Sequence, residues 1–351
     1  LLKTLIEDES HEPNAYADII DLLVDNGQYD MAALWIDEAT QRYPDNKVLT
    51  ESAAYSHVLQ ERLDDAVELY NQLLDSDPYS AFYWEELGKI HFKREEYDKA
   101  IEAFEFVIAI NGDECYYALY AAANSYFNIG NYEKAEEYYH TIHERYPETV
   151  DPLFHMGMCR VNRGDDDGAL EYFTKALITI PEGSEEQAQI YSQMSLIFSR
   201  KGQHEKSVVY LDEAIKICPD NTELIIMKGH ELLFQKQYAE STELFLQAIE
   251  LNTECTERSL FLIAVSMLEN GHSEMSHYML SLLKDNPAIE TEVLYPYLCF
   301  CEWTLQKENF RDTLNEALDK CPQRTYEIFS LTPAQGESAE AVIERLKRIE
   351  I

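Results

Sequence analysis

The stretch Tyr83–Gly112, YWEELGKIHFKREEYDKAIEAFEFVIAING, decides how this chain folds. Its apolar residues recur at intervals of three and four, the period of a half-buried helix, and no strand-like alternation interrupts them. The spacing predicts two helices, Tyr83–Lys93 and Tyr97–Ile110. Gly88 and Ala100 are small, which lets two helices approach closely. Trp84, Leu87, Phe104 and Val107 fill the space around that crossing. Gly112 stops the second helix. One such hairpin cannot bury its apolar face alone, so a neighbour must stack on it.

The interval recurs on both sides of this stretch. Taking Ala100 as anchor, equivalent small residues stand at Ala32, Ala66, Ala135, Ala169, Ser207, Ser241 and Ser276, at successive spacings of 34, 34, 35, 34, 38, 34 and 35. Four residues after each anchor comes a bulky apolar one: Ile36, Tyr70, Phe104, Tyr139, Phe173, Leu211, Phe245 and Leu280. Twelve after it, Pro stands at Pro44, Pro78, Pro147, Pro181 and Pro219, with Pro287 displaced by one. Gly27, Gly130, Gly164, Gly202 and Gly271 mark the turn five before it. A fixed period of this length is the signature of a repeat array.

With Trp84, Leu87 and Gly88 in W-x2-L-G spacing, then Ala100, Phe104 and a second helix ended by Pro, the unit resembles the tetratricopeptide (TPR) repeat. The resemblance covers residues 13–288, about four fifths of the chain. It implies an all-α fold, a right-handed superhelical solenoid of helix-turn-helix repeats. Ser195 in repeat 6 and Lys228 in repeat 7 depart from the usual residue types. Residues 1–12 read as the end of a preceding helix, and 289–322 as a divergent ninth repeat ending near Pro322. In 323–351, SAEAVIERLKRIEI reads as an amphipathic capping helix with Ser338 as its N-cap. The 38-residue spacing around Pro181–Glu186 marks a longer loop or a hinge.

Composition narrows the partners. The net charge of −38, from 66 acidic and 28 basic residues, repels phosphate backbones and anionic lipid, so neither nucleic acid nor membrane is the expected partner. Seven scattered cysteines without a C-x-x-C pair point to free thiols in a reducing, cytoplasmic compartment. No apolar run is long enough for a membrane span.

Chemistry is scarce. No phosphate-binding glycine loop occurs, so no cofactor is expected. His140, His143 and Glu144 read as a polar helix face, and Cys299 and Cys301 point in different directions around one helix, so no metal site is expected. Asp165–Asp167 fill a short turn and assist the following helix N-terminus rather than forming a calcium loop. No nucleophile, base and acid are brought together, and the chain is read as a non-enzyme.

The resemblance implies a concave surface lined by the first helix of each repeat. The candidate partner-binding positions are Phe82, Glu85, Lys89 and Lys93 in repeat 3, Tyr117, Tyr120, Asn124 and Asn128 in repeat 4, and Phe154 and Asn162 in repeat 5. Amides carry both donor and acceptor for an extended peptide backbone, aromatics take apolar side chains, and the lysines could accept a carboxylate. Lys89 and Asn124 match in part the carboxylate clamp of chaperone-binding TPR domains, but Phe154 and Met158 stand where its next basic pair belongs. Asp21 and Asp25 in repeat 1 form an acidic mouth suited to a basic segment. Phe234, Phe261, Tyr295 and Trp303 are a second aromatic candidate. The expected function is a non-enzymatic protein-interaction scaffold. The alternatives are a self-associating scaffold using Leu1–Ile6, giving a homo-oligomer, and an acidic surface for basic proteins.

Overall fold

A computed structural model of the chain describes residues 12–330, other than 150, 285, 287 and 288. Among these residues there are nineteen α-helices and no strand. The chain divides into two compact units, Leu1–Thr179 and Ile180–Ile351. The division falls where the repeat spacing rises to 38. The reading of residues 1–12 as a preceding helix lies, up to His11, outside the described residues, as do the Leu1–Ile6 surface, Pro287 and the helix beginning at Ser338.

The first unit is a run of five helix pairs: α1 (Glu12–Asp25) with α2 (Tyr29–Arg42), α3 (Lys47–Leu59) with α4 (Leu63–Ser76), α5 (Ala81–Lys93) with α6 (Tyr97–Asn111), α7 (Tyr116–Asn128) with α8 (Tyr132–Arg145), and α9 (Asp151–Asn162) with α10 (Asp166–Thr179). The second unit continues with α11 (Glu185–Arg200) and α12 (His204–Ile217), α13 (Thr222–Phe234) and α14 (Tyr238–Leu251), α15 (Thr256–Glu269) and α16 (Ser273–Leu283), and α17 (Thr291–Thr304) and α18 (Phe310–Lys320). A short α19 (Pro322–Ser330) follows.

The anchors behave as the spacing requires. All eight small residues, Ala32 to Ser276, are buried, and so are all eight bulky residues four positions later. In repeats 7 and 8 the anchor hydroxyl joins the two helices. Ser241 Oγ donates to the Gly229 carbonyl and Ser276 Oγ to the Ala264 carbonyl, each at 2.7 Å. Trp84 stacks on Phe106 of the second helix, ring centroids 4.3 Å apart, and its indole N–H donates to the Pro78 carbonyl at 2.9 Å.

Every repeat turns in the same way. The residue five before the anchor has positive φ in all eight, supplied by glycine at 27, 130, 164, 202 and 271 and by Glu61, Glu95 and Lys236 in the other three. The turn before α10 is closed by Asp165, whose Oδ1 accepts from the Gly168 N–H at 3.0 Å. Asp165 thus assists the N-terminus of α10, the role expected of it.

Within each unit, polar pairs join neighbouring repeats. In the first unit the buried Glu136 of α8 is held by Arg160 at 2.6 Å and Arg163 at 3.0 Å, both presented by the end of α9 and the turn after it. In the second unit His204 of α12 meets Glu231 of α13 at 2.8 Å. Lys228, the departure noted in repeat 7, reaches Asp212 of α12 at 2.7 Å, which explains how a lysine is carried at an apolar position. The extra length around Pro181 goes partly into α11, at 16 residues. Ser184 caps it by accepting from the Gln187 N–H at 3.3 Å, and the Gln187 side chain accepts from the Gly183 N–H at 2.7 Å.

Candidate partner-binding face

The candidate positions lie on the first helices of repeats 3 to 5, α5, α7 and α9. Equivalent residues of neighbouring first helices are brought to one side because each repeat repeats the same crossing. Phe82 is 57 % exposed and Tyr117, its counterpart on α7, 49 %. Lys89, further along α5, is tightly held. Its ammonium is 2.6 Å from Glu85 and 2.8 Å from Glu86, and it sits 5.0 Å from the centre of the Tyr117 ring. Glu85, Lys89 and Tyr117 therefore form one cluster, with Glu86 as a member the sequence reading missed, while the Phe82 ring packs edge-on against Tyr83 of its own helix. Lys93 is turned to Glu61 of the preceding repeat at 3.0 Å.

A second cluster is built across α7, α8 and α9. Tyr120 Oη lies 2.8 Å from His155 Nε2. The His155 ring stacks on Tyr139, centroids 5.0 Å apart and planes 11° from parallel. The Tyr139 hydroxyl donates to Asn124 Oδ1 at 2.6 Å. Phe154 sets its edge against His155 and tilts over the buried Phe173. Burial pushes the Tyr120 hydroxyl up to about 12 and the His155 imidazole below its ordinary value, so both groups are neutral near pH 7. His155 was not anticipated; it stands 35 residues from Tyr120, and no local pattern announces the pair.

Asn128 and Asn162 are exposed. Each donates to the carbonyl four residues back on its own helix, that of Asn124 at 2.8 Å and that of Met158 at 2.9 Å. The second aromatic candidate is less open than its sequence suggests. Phe261 and Tyr295 are buried, Trp303 packs against Phe329 of α19, and Phe234 stays exposed. Among the described residues no group of three or more His, Cys, Asp or Glu could hold a metal ion, and the seven cysteines form no disulfide.

Profiles of the tetratricopeptide repeat match residues 51–114, 117–149, 188–221 and 222–255. The chain is a tetratricopeptide-repeat protein. It is similar to a tetratricopeptide repeat protein of Parabacteroides merdae of known crystal structure, at 18 % identity over 73 % of this chain and 98 % of that one, with a TM-score of 0.51. That likeness is one of fold. Two curated relatives are the CTR9 homolog of Arabidopsis thaliana, 24 % identical over 63 % of this chain, and a TPR repeat-containing protein of Methanocaldococcus jannaschii, 23 % identical over 72 %. The chain spans 21 % and 52 % of the length of these relatives.

Tetratricopeptide-repeat proteins are generally non-catalytic scaffolds for protein–protein interaction. No helix among the described residues is long and apolar enough to cross a membrane.

Proposed function

We propose that this chain is a non-enzymatic scaffold that holds an extended segment of a partner protein against the first helices of repeats 3 to 5. One observation carries the reading. Two large aromatic side chains, Phe82 and Tyr117, stand half-exposed at equivalent positions of neighbouring helices, beside polar groups already immobilised by one another. Exposed apolar area in a fixed polar frame binds with little ordering cost. Lys89 is engaged by two carboxylates, so its role here is to hold the Tyr117 ring rather than to grip an acidic terminus. Asn128 and Asn162 turn amides outward along the same face.

The test is positional. A photo-crosslinking amino acid at position 82 or 154 should capture a partner from lysate. The same group at Phe106, on the second helix of repeat 3, should not. Capture from position 106 alone would move the binding site off this face. Asn124→Ala is a poor probe, because it would strand the buried Tyr139 hydroxyl.

Self-association is the second reading, and one feature favours it. Met275, Tyr278 and Leu282 form an exposed apolar row along α16. Light scattering over a concentration series separates the two, since a mass independent of concentration removes self-association.

A further inference from the structure

We propose that the segment this face takes is basic and apolar, and that recognition runs onto repeats 1 and 2, through the apolar row Val48, Phe82 and Tyr117 and the carboxylates of Asp21, Asp25 and Glu51 on the first helices α1 and α3. The proposal rests on the peptide-holding reading above and adds the partner's chemistry.

The row comes first. Val48, Phe82 and Tyr117 occupy the same place on α3, α5 and α7. Val48 is 42 % exposed, and Tyr55 and Leu59 of α3 are exposed beside it. An apolar row of this kind, repeated on the first helices of three consecutive repeats in a chain of charge −38, marks a surface built to be covered.

The charges around the row are one-sided. Each lysine that neighbours it is already engaged: Lys47 with Asp77 at 3.4 Å, Lys89 with Glu85 and Glu86, and Lys93 with Glu61. The carboxylates of α1 have a different environment. Asp18, Asp21 and Asp25 follow one another at helical spacing, and Asp21 is half-buried next to Ser52. The groups acting on Asp21 are the Ser52 hydroxyl and the carboxylates of Asp25 and Asp18, with no cation among them. Burial and these like charges push its carboxyl up. Glu51 of α3 accepts from the Tyr83 hydroxyl, which Lys47 also meets, so the carboxylates without a described cation are those of α1. A lysine or arginine arriving here would relieve like-charge repulsion, whereas an acidic segment would add to it.

The test uses a fluorescein-labelled synthetic peptide of leucine, lysine and glycine, followed by anisotropy at physiological salt, where diffuse attraction to an acidic surface is screened. Two control peptides carry glutamate for lysine or serine for leucine. The expected result is binding of the leucine–lysine peptide alone. That binding should weaken by about tenfold or more both in Phe82→Ser/Tyr117→Ser and in Asp21→Asn/Asp25→Asn. Melting curves control for folding, and Val48→Ser is the substitute should the aromatic pair melt early. Binding of the basic peptide that neither double variant alters overturns the proposal. If instead the glutamate peptide binds and the aromatic variant abolishes it, the basic partner falls while the peptide-holding face stands. If no peptide responds to any variant of the row, both fall.

Discussion

The ring of Phe104 fills the space that a side chain on Gly88 would need. A methyl group at Gly88 would come within 2.6 Å of its Cε1. The relationship recurs at Gly157 with Phe173, at 2.4 Å, and at Gly229 with Phe245, at 2.6 Å. Wherever the bulky residue four after the anchor is phenylalanine, the residue twelve before the anchor is glycine. Where leucine stands there instead, at Leu280 and Leu211, the opposing residue is Ala264 or Ser195. Where tyrosine stands there, at Tyr70 and Tyr139, the opposing residue is Ala54 or Ala123, so it is the phenylalanine rings that lie against a helix with no side chain at the crossing.

Gly88→Ala should therefore destabilise the protein by about 1–3 kcal/mol through overpacking, despite alanine's better helix propensity. Gly88→Ala with Phe104→Leu should lose less than the sum of the single changes. A double-mutant cycle by denaturant unfolding reads the coupling. Strict additivity would mean that the ring and the glycine are not in contact.

Two buried anchor serines differ in a way that predicts opposite outcomes. Ser241 donates to Gly229 across the crossing, so Ser241→Ala should cost about 0.5–1.5 kcal/mol. The Ser207 hydroxyl is buried without a hydrogen-bond partner. Ser207→Ala, which restores the residue type of repeats 1 to 5, should be neutral or stabilising. Chemical denaturation of the two variants side by side checks the sign.

Glu95 and Lys236 hold φ of 60° and 61° at the turn position that glycine fills in five repeats. A residue with a Cβ is disfavoured there by about 1–2 kcal/mol, partly offset by glycine's greater freedom in the unfolded chain. Glu95→Gly and Lys236→Gly should each raise the melting temperature. A decrease would mean that their side chains contribute more than the backbone strain removes.

Burial holds the imidazoles of His57 and His155 below their ordinary value of 6.5. In the unfolded chain each takes up a proton as pH falls through that value, while in the folded chain each stays neutral to lower pH. Unfolding then binds protons, so stability is full above the ordinary value and is lost as pH falls below it. The melting temperature should drop between about pH 7.5 and about pH 5.5. His155→Gln, which keeps an acceptor for Tyr120, should lessen the drop. An equal drop in the variant would place the effect on other groups.

Much of the fold is legible because each repeat states its own rule locally. Ala100, Phe104, Gly88 and the turn glycines are tied to one another within a single hairpin, and the structure buries all eight anchors. The turn at Glu61, Glu95 and Lys236 was not legible, since nothing in those residues announces a left-handed backbone; the neighbouring helices impose it. The candidate face was legible only as a set of positions. Lys89 was read as a group ready for a carboxylate, yet Glu85 and Glu86, in the same helical turn, already hold it.

The sequence by itself determined the period, the helix pairs, the small residues at each crossing and the acidic balance. These depend on residue types within one helical hairpin. Only the tertiary structure decided which polar groups meet: Tyr120 with His155, Tyr139 with Asn124, Lys228 with Asp212, and Asp21 with Ser52 and, among the described residues, no cation. Those pairings join different helices, most of them from adjoining repeats, and the angle and distance at which one hairpin stacks on the next set them.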